Sequence, residues 1–169
     1  MGYNKKRSAR IGVGTLLNET VNYIIDQVKE EFMVARFKGG CACGAIRYEC
    51  TAEPAFVANC HCKDCQKATG GQMATVAAVP KSAWRIVSGK TKSFAYAGDS
   101  GNKIYRHFCE TCGSRLFSDA KVMPDMIFVT AGSMDDASWL KPSMHIYTDS
   151  AQPWAYIPPE AKRYPKMPT

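Results

Sequence analysis

Seven of the eight cysteines fall in three tight groups, Cys41-Ala-Cys43, Cys60-His-Cys62-Lys-Asp-Cys65 and Cys109-Glu-Thr-Cys112. A disulfide needs Cα atoms about 4.4 to 6.8 Å apart and facing side chains, a geometry that cysteines two residues apart rarely reach without strain. A tetrahedral metal accepts neighbouring thiolates readily. The clustering therefore points to reduced thiols that hold metal, and to a reducing cytoplasm in place of a secreted disulfide framework. Iron-sulfur proteins space their cysteines by two and two, or by four and two, residues, which Cys-x-Cys-x-x-Cys does not match, so zinc is the expected ion.

Zinc takes four ligands, and seven thiols divide into four and three. Cys41 and Cys43 precede Gly44, and Cys109 and Cys112 precede Gly113, as in zinc knuckles where glycine lets the backbone turn tightly beside the sulfurs. Joined, the two pairs close a loop of about 70 residues and make a structural staple. Cys60, Cys62 and Cys65 can wrap one face of a second zinc and leave its fourth position to water or substrate, the pattern of a catalytic site. The competing reading fills that position with His61, His107 or a buried carboxylate. His61, wedged between two ligands, is expected to point away. Cys50, in an alternating apolar stretch, reads as a small buried hydrophobe.

The elements that must position these groups are mainly β. Alternation over Ala45–Cys50, Ala74–Val79, Trp84–Val87, Lys103–Phe108 and Met126–Thr130 predicts strands, punctuated by Gly39-Gly40, Gly70-Gly71, Gly89, Gly98 and Gly101. The tail from Trp154, with Pro158, Pro159, Pro165 and Pro168, is expected to run over the surface as irregular chain. Residues 1–36 differ in kind from residues 37–169. Leu16, Leu17, Val21, Ile24, Ile25, Val28 and Phe32 recur at three and four, which predicts an appended amphipathic helix, and Met33 offers a natural start. Lys5, Lys6, Arg7 and Arg10 precede the apolar run Ile11–Leu17, but Asn18 and Glu19 interrupt it and no small-residue cleavage site follows, so secretion is not expected. No run approaches the ~18 apolar residues of a membrane span.

Three segments carry a family resemblance. Gly40-Cys-Ala-Cys-Gly-Ala-Ile-Arg-Tyr, Asn59-Cys-His-Cys-Lys-Asp-Cys-Gln-Lys-Ala-Thr-Gly and Phe108-Cys-Glu-Thr-Cys-Gly-Ser-Arg-Leu resemble the signature segments of the glutathione-dependent formaldehyde-activating enzyme family, which also includes centromere protein V. Ala131-Gly-Ser-Met-Asp-Asp, His145-Ile-Tyr-Thr and Pro153-Trp resemble its later segments in the same order, so the likeness runs from about Phe37 to Tyr164. It implies an Mss4-like folded sheet clamped by zinc. It also implies two Zn2+ per chain, a structural ion on Cys41, Cys43, Cys109 and Cys112 and a catalytic ion on Cys60, Cys62 and Cys65. The implied reaction is a carbon-sulfur lyase or synthase step on a thiol adduct of a small aldehyde, after the founding conversion of glutathione and formaldehyde to S-hydroxymethylglutathione. Mycothiol or bacillithiol would present the same sulfur. Residues 1–36 lie outside the likeness.

Three thiolates on a divalent ion leave a net −1, a poor activator of water but a suitable seat for a substrate thiol, which would lose its proton there and attack the aldehyde carbonyl. Lys63, Lys67, Arg106 and Arg115 flank the cysteine groups, and each reads either as a partner for a glutathione carboxylate or as solvated charge. His107 and His145 are candidates to move a proton, and Trp154 and Tyr156 to line a pocket, without an assigned role. The alternative function is a zinc-stabilised protein- or nucleic-acid-binding module, suggested by the formal charge of +7 and pI near 9.0. A third reading, a thiol redox role, treats oxidation and zinc loss as function. The charge argues against nucleic acid. Zinc-bound thiolates lower +7 to +4, and residues 1–38 carry +3 of that, which leaves the cysteine domain near +1.

Overall fold

Alternating side chains build strands with two unlike faces, and each of the five expected strands has a counterpart in the computed structural model, which describes residues 36–168. The expected N-terminal helix and the Met33 start lie outside those residues. A three-stranded antiparallel sheet, in order β1-β2-β5, joins β1 (Phe37–Gly40), β2 (Arg47–Cys50) and β5 (Trp84–Ser88). The larger sheet comprises β3 (Phe56–Cys60), β4 (Ala74–Pro80), β6 (Lys92–Ala97), β7 (Lys103–Phe108), β8 (Arg115–Ala120), β9 (Met123–Thr130), β10 (Met144–Ile146) and β11 (Lys162–Tyr164). Its order is β11-β10-β3-β4-β9-β8-β7-β6. It is antiparallel except at β10, which pairs in parallel with both β3 and β11. The described chain is mainly β, in keeping with the Mss4-like folded sheet that the resemblance implies.

Three features depart from expectation. The proline-rich tail is not wholly irregular, because Lys162–Tyr164 adds a strand beside β10. The cysteine loop after β3 is a short helix, α1 (Lys63–Thr69), capped at its C-terminal end by Gly70 in the left-handed conformation. Gly39 and Gly40 are the last two residues of β1, paired with Tyr48 and Arg47, instead of a turn beyond it. At Gly39 a Cβ would come within 2.3 Å of the Tyr48 hydroxyl, so glycine there lets the Tyr48 ring pass under β1.

The core lies between the sheets, where Tyr48 and Cys50 meet Val79, Leu116, Phe117 and Val129. Cys50 is fully buried. The Tyr48 hydroxyl lies 2.8 Å from that of Ser133, which donates to the Thr130 carbonyl. Strand β4 is buried on both faces: Ala77 and Val79 join this core, while Ala74 and Val76 join a second cluster with Ala58, Cys60, Cys65 and Ile146. That second cluster seats the tricysteine group. Among the described residues no helix is long and apolar enough to cross a membrane.

Candidate functional site

The two knuckles are alike. Gly44 and Gly113 take φ of 76° and 73°, a conformation that side chains disfavour, and their N–H groups donate to the Cys41 and Cys109 carbonyls at 3.0 and 2.9 Å. The Ala42 N–H reaches across to the Ser114 hydroxyl at 3.0 Å and ties the β1–β2 turn to the β7–β8 turn. The four sulfurs lie within 4.8 Å of one another. Cys43 Sγ is 3.4 Å from Cys41 Sγ and 3.7 Å from Cys109 Sγ. Bonds of about 2.3 Å to a tetrahedral zinc set sulfurs about 3.8 Å apart, whereas a disulfide needs about 2.05 Å, so the donor set fits the ion. The Ile46 N–H donates to Cys41 Sγ at 3.2 Å, and the Ser114 hydroxyl and amide hold the Cys112 thiol down to about 5. Both contacts favour thiolate.

The second group straddles three local structures. Cys60 ends β3, Cys62 caps α1, and Cys65 lies in its first turn, where its N–H donates to Cys62 Sγ at 3.3 Å. These sulfurs also lie within 4.8 Å of one another, and among the described residues no histidine or carboxylate joins them. Hydrogen bonds from Cys60 and Cys62, aided by the charges of Arg115 and Arg106, hold the Cys65 thiol down to about 2 against its burial. Cys60 is pushed up, first by its two sulfur neighbours and then by burial. Buried sulfurs that share charge so strongly suit a thiophilic divalent cation. Either cysteine group could hold a metal ion.

His61 does point away. Its Nε2 lies 2.9 Å from His145 Nδ1, and the two rings stack. Thr75 donates to Asn59 Oδ1 at 2.7 Å, so the Asn59 amide donates to His145 Nε2 at 3.3 Å. That order leaves His145 Nδ1–H to donate to His61, an assignment made from the partners. Burial holds both imidazoles below their usual range. Gln66 fixes the helix by donating to the His61 carbonyl at 2.6 Å and the Ser150 carbonyl at 2.9 Å. Asn59 and Gln66 both lie in the quoted Asn59–Gly70 segment, the one sequence signal that could have marked them.

The three sulfurs open on a cavity of about 480 Å³. Of the four flanking cations, Arg115 alone lines it, with Nε and Nη1 buried and without a hydrogen-bond partner among the described residues. Arg106 lies one layer back, donating to the Tyr96 hydroxyl at 2.7 Å with its guanidinium over the Tyr96 ring, and Tyr96 faces the cavity. Lys63 turns instead to the Ser150 carbonyl at 3.0 Å, and Lys67 does not line the cavity. His107 packs flat on Phe117, with Thr91 at 3.0 Å and Asp119 at 3.6 Å, and is not part of either cysteine group. Trp154 and Tyr156 are exposed and do not line the cavity. Tyr147 does. It holds φ 58° and ψ 41°, a left-handed conformation that costs a side-chain-bearing residue about 1 to 3 kcal/mol and recurs at functional sites.

Comparison with known proteins adds a family. A family model described as "Glutathione-dependent formaldehyde-activating enzyme" matches residues 36–150. A Halomonas elongata protein provisionally named a glutathione-dependent formaldehyde-activating enzyme is 24% identical over 125 residues, covering 71% of this chain and 80% of its own. A crystal structure of a Rhodobacter sphaeroides protein overlaps 62% of this chain and 91% of its own at 25% identity, with a TM-score of 0.47.

Proposed function

Since the chain belongs to the glutathione-dependent formaldehyde-activating enzyme family, we propose that it is a zinc-dependent carbon-sulfur lyase or synthase that acts on a glutathione-type thiol adduct of a small aldehyde. The observation that carries this reading is the placement of three clustered sulfurs on the wall of a cavity large enough for a small molecule. Cys41, Cys43, Cys109 and Cys112 hold a structural zinc. Cys60, Cys62 and Cys65 hold a catalytic one. Residues 37–169 make the family's zinc-binding domain and residues 1–36 an extension, in a reducing cytoplasm that keeps the thiols free.

Zinc on the tricysteine group would supply a seat where a thiol gives up its proton and remains nucleophilic. In synthesis the thiol sulfur forms a bond to the aldehyde carbon while the carbonyl electron pair moves to oxygen, which takes a proton; cleavage runs the same steps backwards. Arg115, which lines the cavity, offers its guanidinium to negative charge on the substrate, either a carboxylate or the oxygen that gains charge. Tyr96 keeps Arg106 beside the site, where its charge adds to that of Arg115 on the thiolates. The Asn59–His145–His61 chain holds the end of β3 so that Cys60 and Cys62 face the cavity while the residue between them faces the core.

Incubation of the zinc-loaded protein with S-hydroxymethylglutathione tests the reading. Release of formaldehyde and free thiol faster than in buffer supports it, and a rate equal to buffer overturns it.

A further inference from the structure

The cavity beside the sulfurs has carbon inside and charge outside. Val76 and Ile146 are buried in the same cluster as Cys60 and Cys65, with Phe128 packed against them, and all three line the cavity. Ile104 and Met123 extend that surface, and Val122, left 57% exposed, carries it to the mouth. The other charged side chains that line it, Asp64, Asp99 and Lys166, are exposed and lie at its rim, while Arg115 lies beside the sulfurs. Glutathione is itself polar, with two carboxylates and an ammonium group, and formaldehyde adds to its sulfur only one carbon and a hydroxyl. Neither covers these walls. An open apolar patch continuous with a reactive centre marks a ligand surface.

Resting on the reading of the site as one for a thiol adduct, we infer that the preferred aldehyde carries an apolar substituent, an aliphatic chain of about six carbons or an aromatic ring, that lies against Val76, Phe128 and Ile146. The charged parts of the thiol then stay at the rim and beside Arg115. Each methylene moved out of water onto such walls tightens binding by about fourfold.

Unreactive thioethers separate this inference from the reading beneath it. In calorimetric titration of the zinc-loaded protein, S-hexylglutathione is expected to bind at least tenfold more tightly than S-methylglutathione. Val122→Asp, at an exposed position that leaves the core untouched, is expected to shrink that ratio severalfold, as is Ile104→Ala. Equal affinity for the two thioethers, or an unchanged ratio in both variants, overturns the inference and leaves the adduct reading standing if S-hydroxymethylglutathione is still turned over. Binding of neither thioether together with no turnover overturns both.

Discussion

Arg115 lines the cavity, and its Nε and Nη1 are buried without a partner among the described residues, a state that costs a charged donor about 1 to 3 kcal/mol or more. On the proposed function this guanidinium serves an anionic group of the substrate. Arg115→Met is therefore expected to lower kcat/KM by roughly 10- to 150-fold, the worth of one charge-assisted hydrogen bond, with Arg115→Lys in between. Steady-state kinetics check this, and a variant as efficient as the parent would remove Arg115 from the site. The grouping of the cysteines was legible at this scale because identity and spacing already place neighbouring thiols together, and the structure gathers the same seven sulfurs into two groups. The choice among Lys63, Lys67, Arg106 and Arg115 was not. Lys63 is drawn off by a carbonyl 87 residues away, and Arg106 is engaged by Tyr96 on the neighbouring strand. The same holds for His145, which reaches His61 only because β10 pairs in parallel with β3.

Five strands announced themselves by alternating residue types, as over Lys103–Phe108. Strand β3 did not, because Phe56-Val-Ala-Asn-Cys does not alternate in type, and β10 and β11 are only three residues long. Those unannounced elements frame the site: β3 delivers Cys60, and β10 delivers Ile146. The staple belongs to this scale as well, since it joins the β1–β2 and β7–β8 turns. Cys109→Ser is expected to lower the melting temperature by roughly 10 °C or more, because a structural zinc site contributes directly to folding. A drop of a degree or two would contradict the structural assignment. Gly39→Ala would push Tyr48 out of its place and should destabilise by about 1 to 3 kcal/mol in denaturant titration.

Across the whole molecule, His61, His107 and His145 are all held below the ordinary imidazole range, in each case first by burial. The unfolded chain takes up protons near pH 6.5 that the folded chain refuses, so stability is fully present above that pH and falls as pH drops through it, by at most about 1.4 kcal/mol per pH unit for each proton. His107 lies in neither cysteine group, so His107→Gln should make the loss between pH 7.5 and 5.5 shallower without touching the metal ligands. An unchanged slope in denaturant titrations would refute that assignment. Of the formal +7, which first suggests an acidic partner, residues 1–38 carry +3, and the centre of interest moves to the sulfurs. Metal analysis of the parent and Cys62→Ser proteins, with turnover of the thiol adduct measured on the same samples, tests that centre most directly. Two zinc ions per parent chain, one in Cys62→Ser, and loss of turnover with the β-rich fold preserved in circular dichroism are expected. One zinc in the parent, or undiminished turnover in Cys62→Ser, would contradict that expectation.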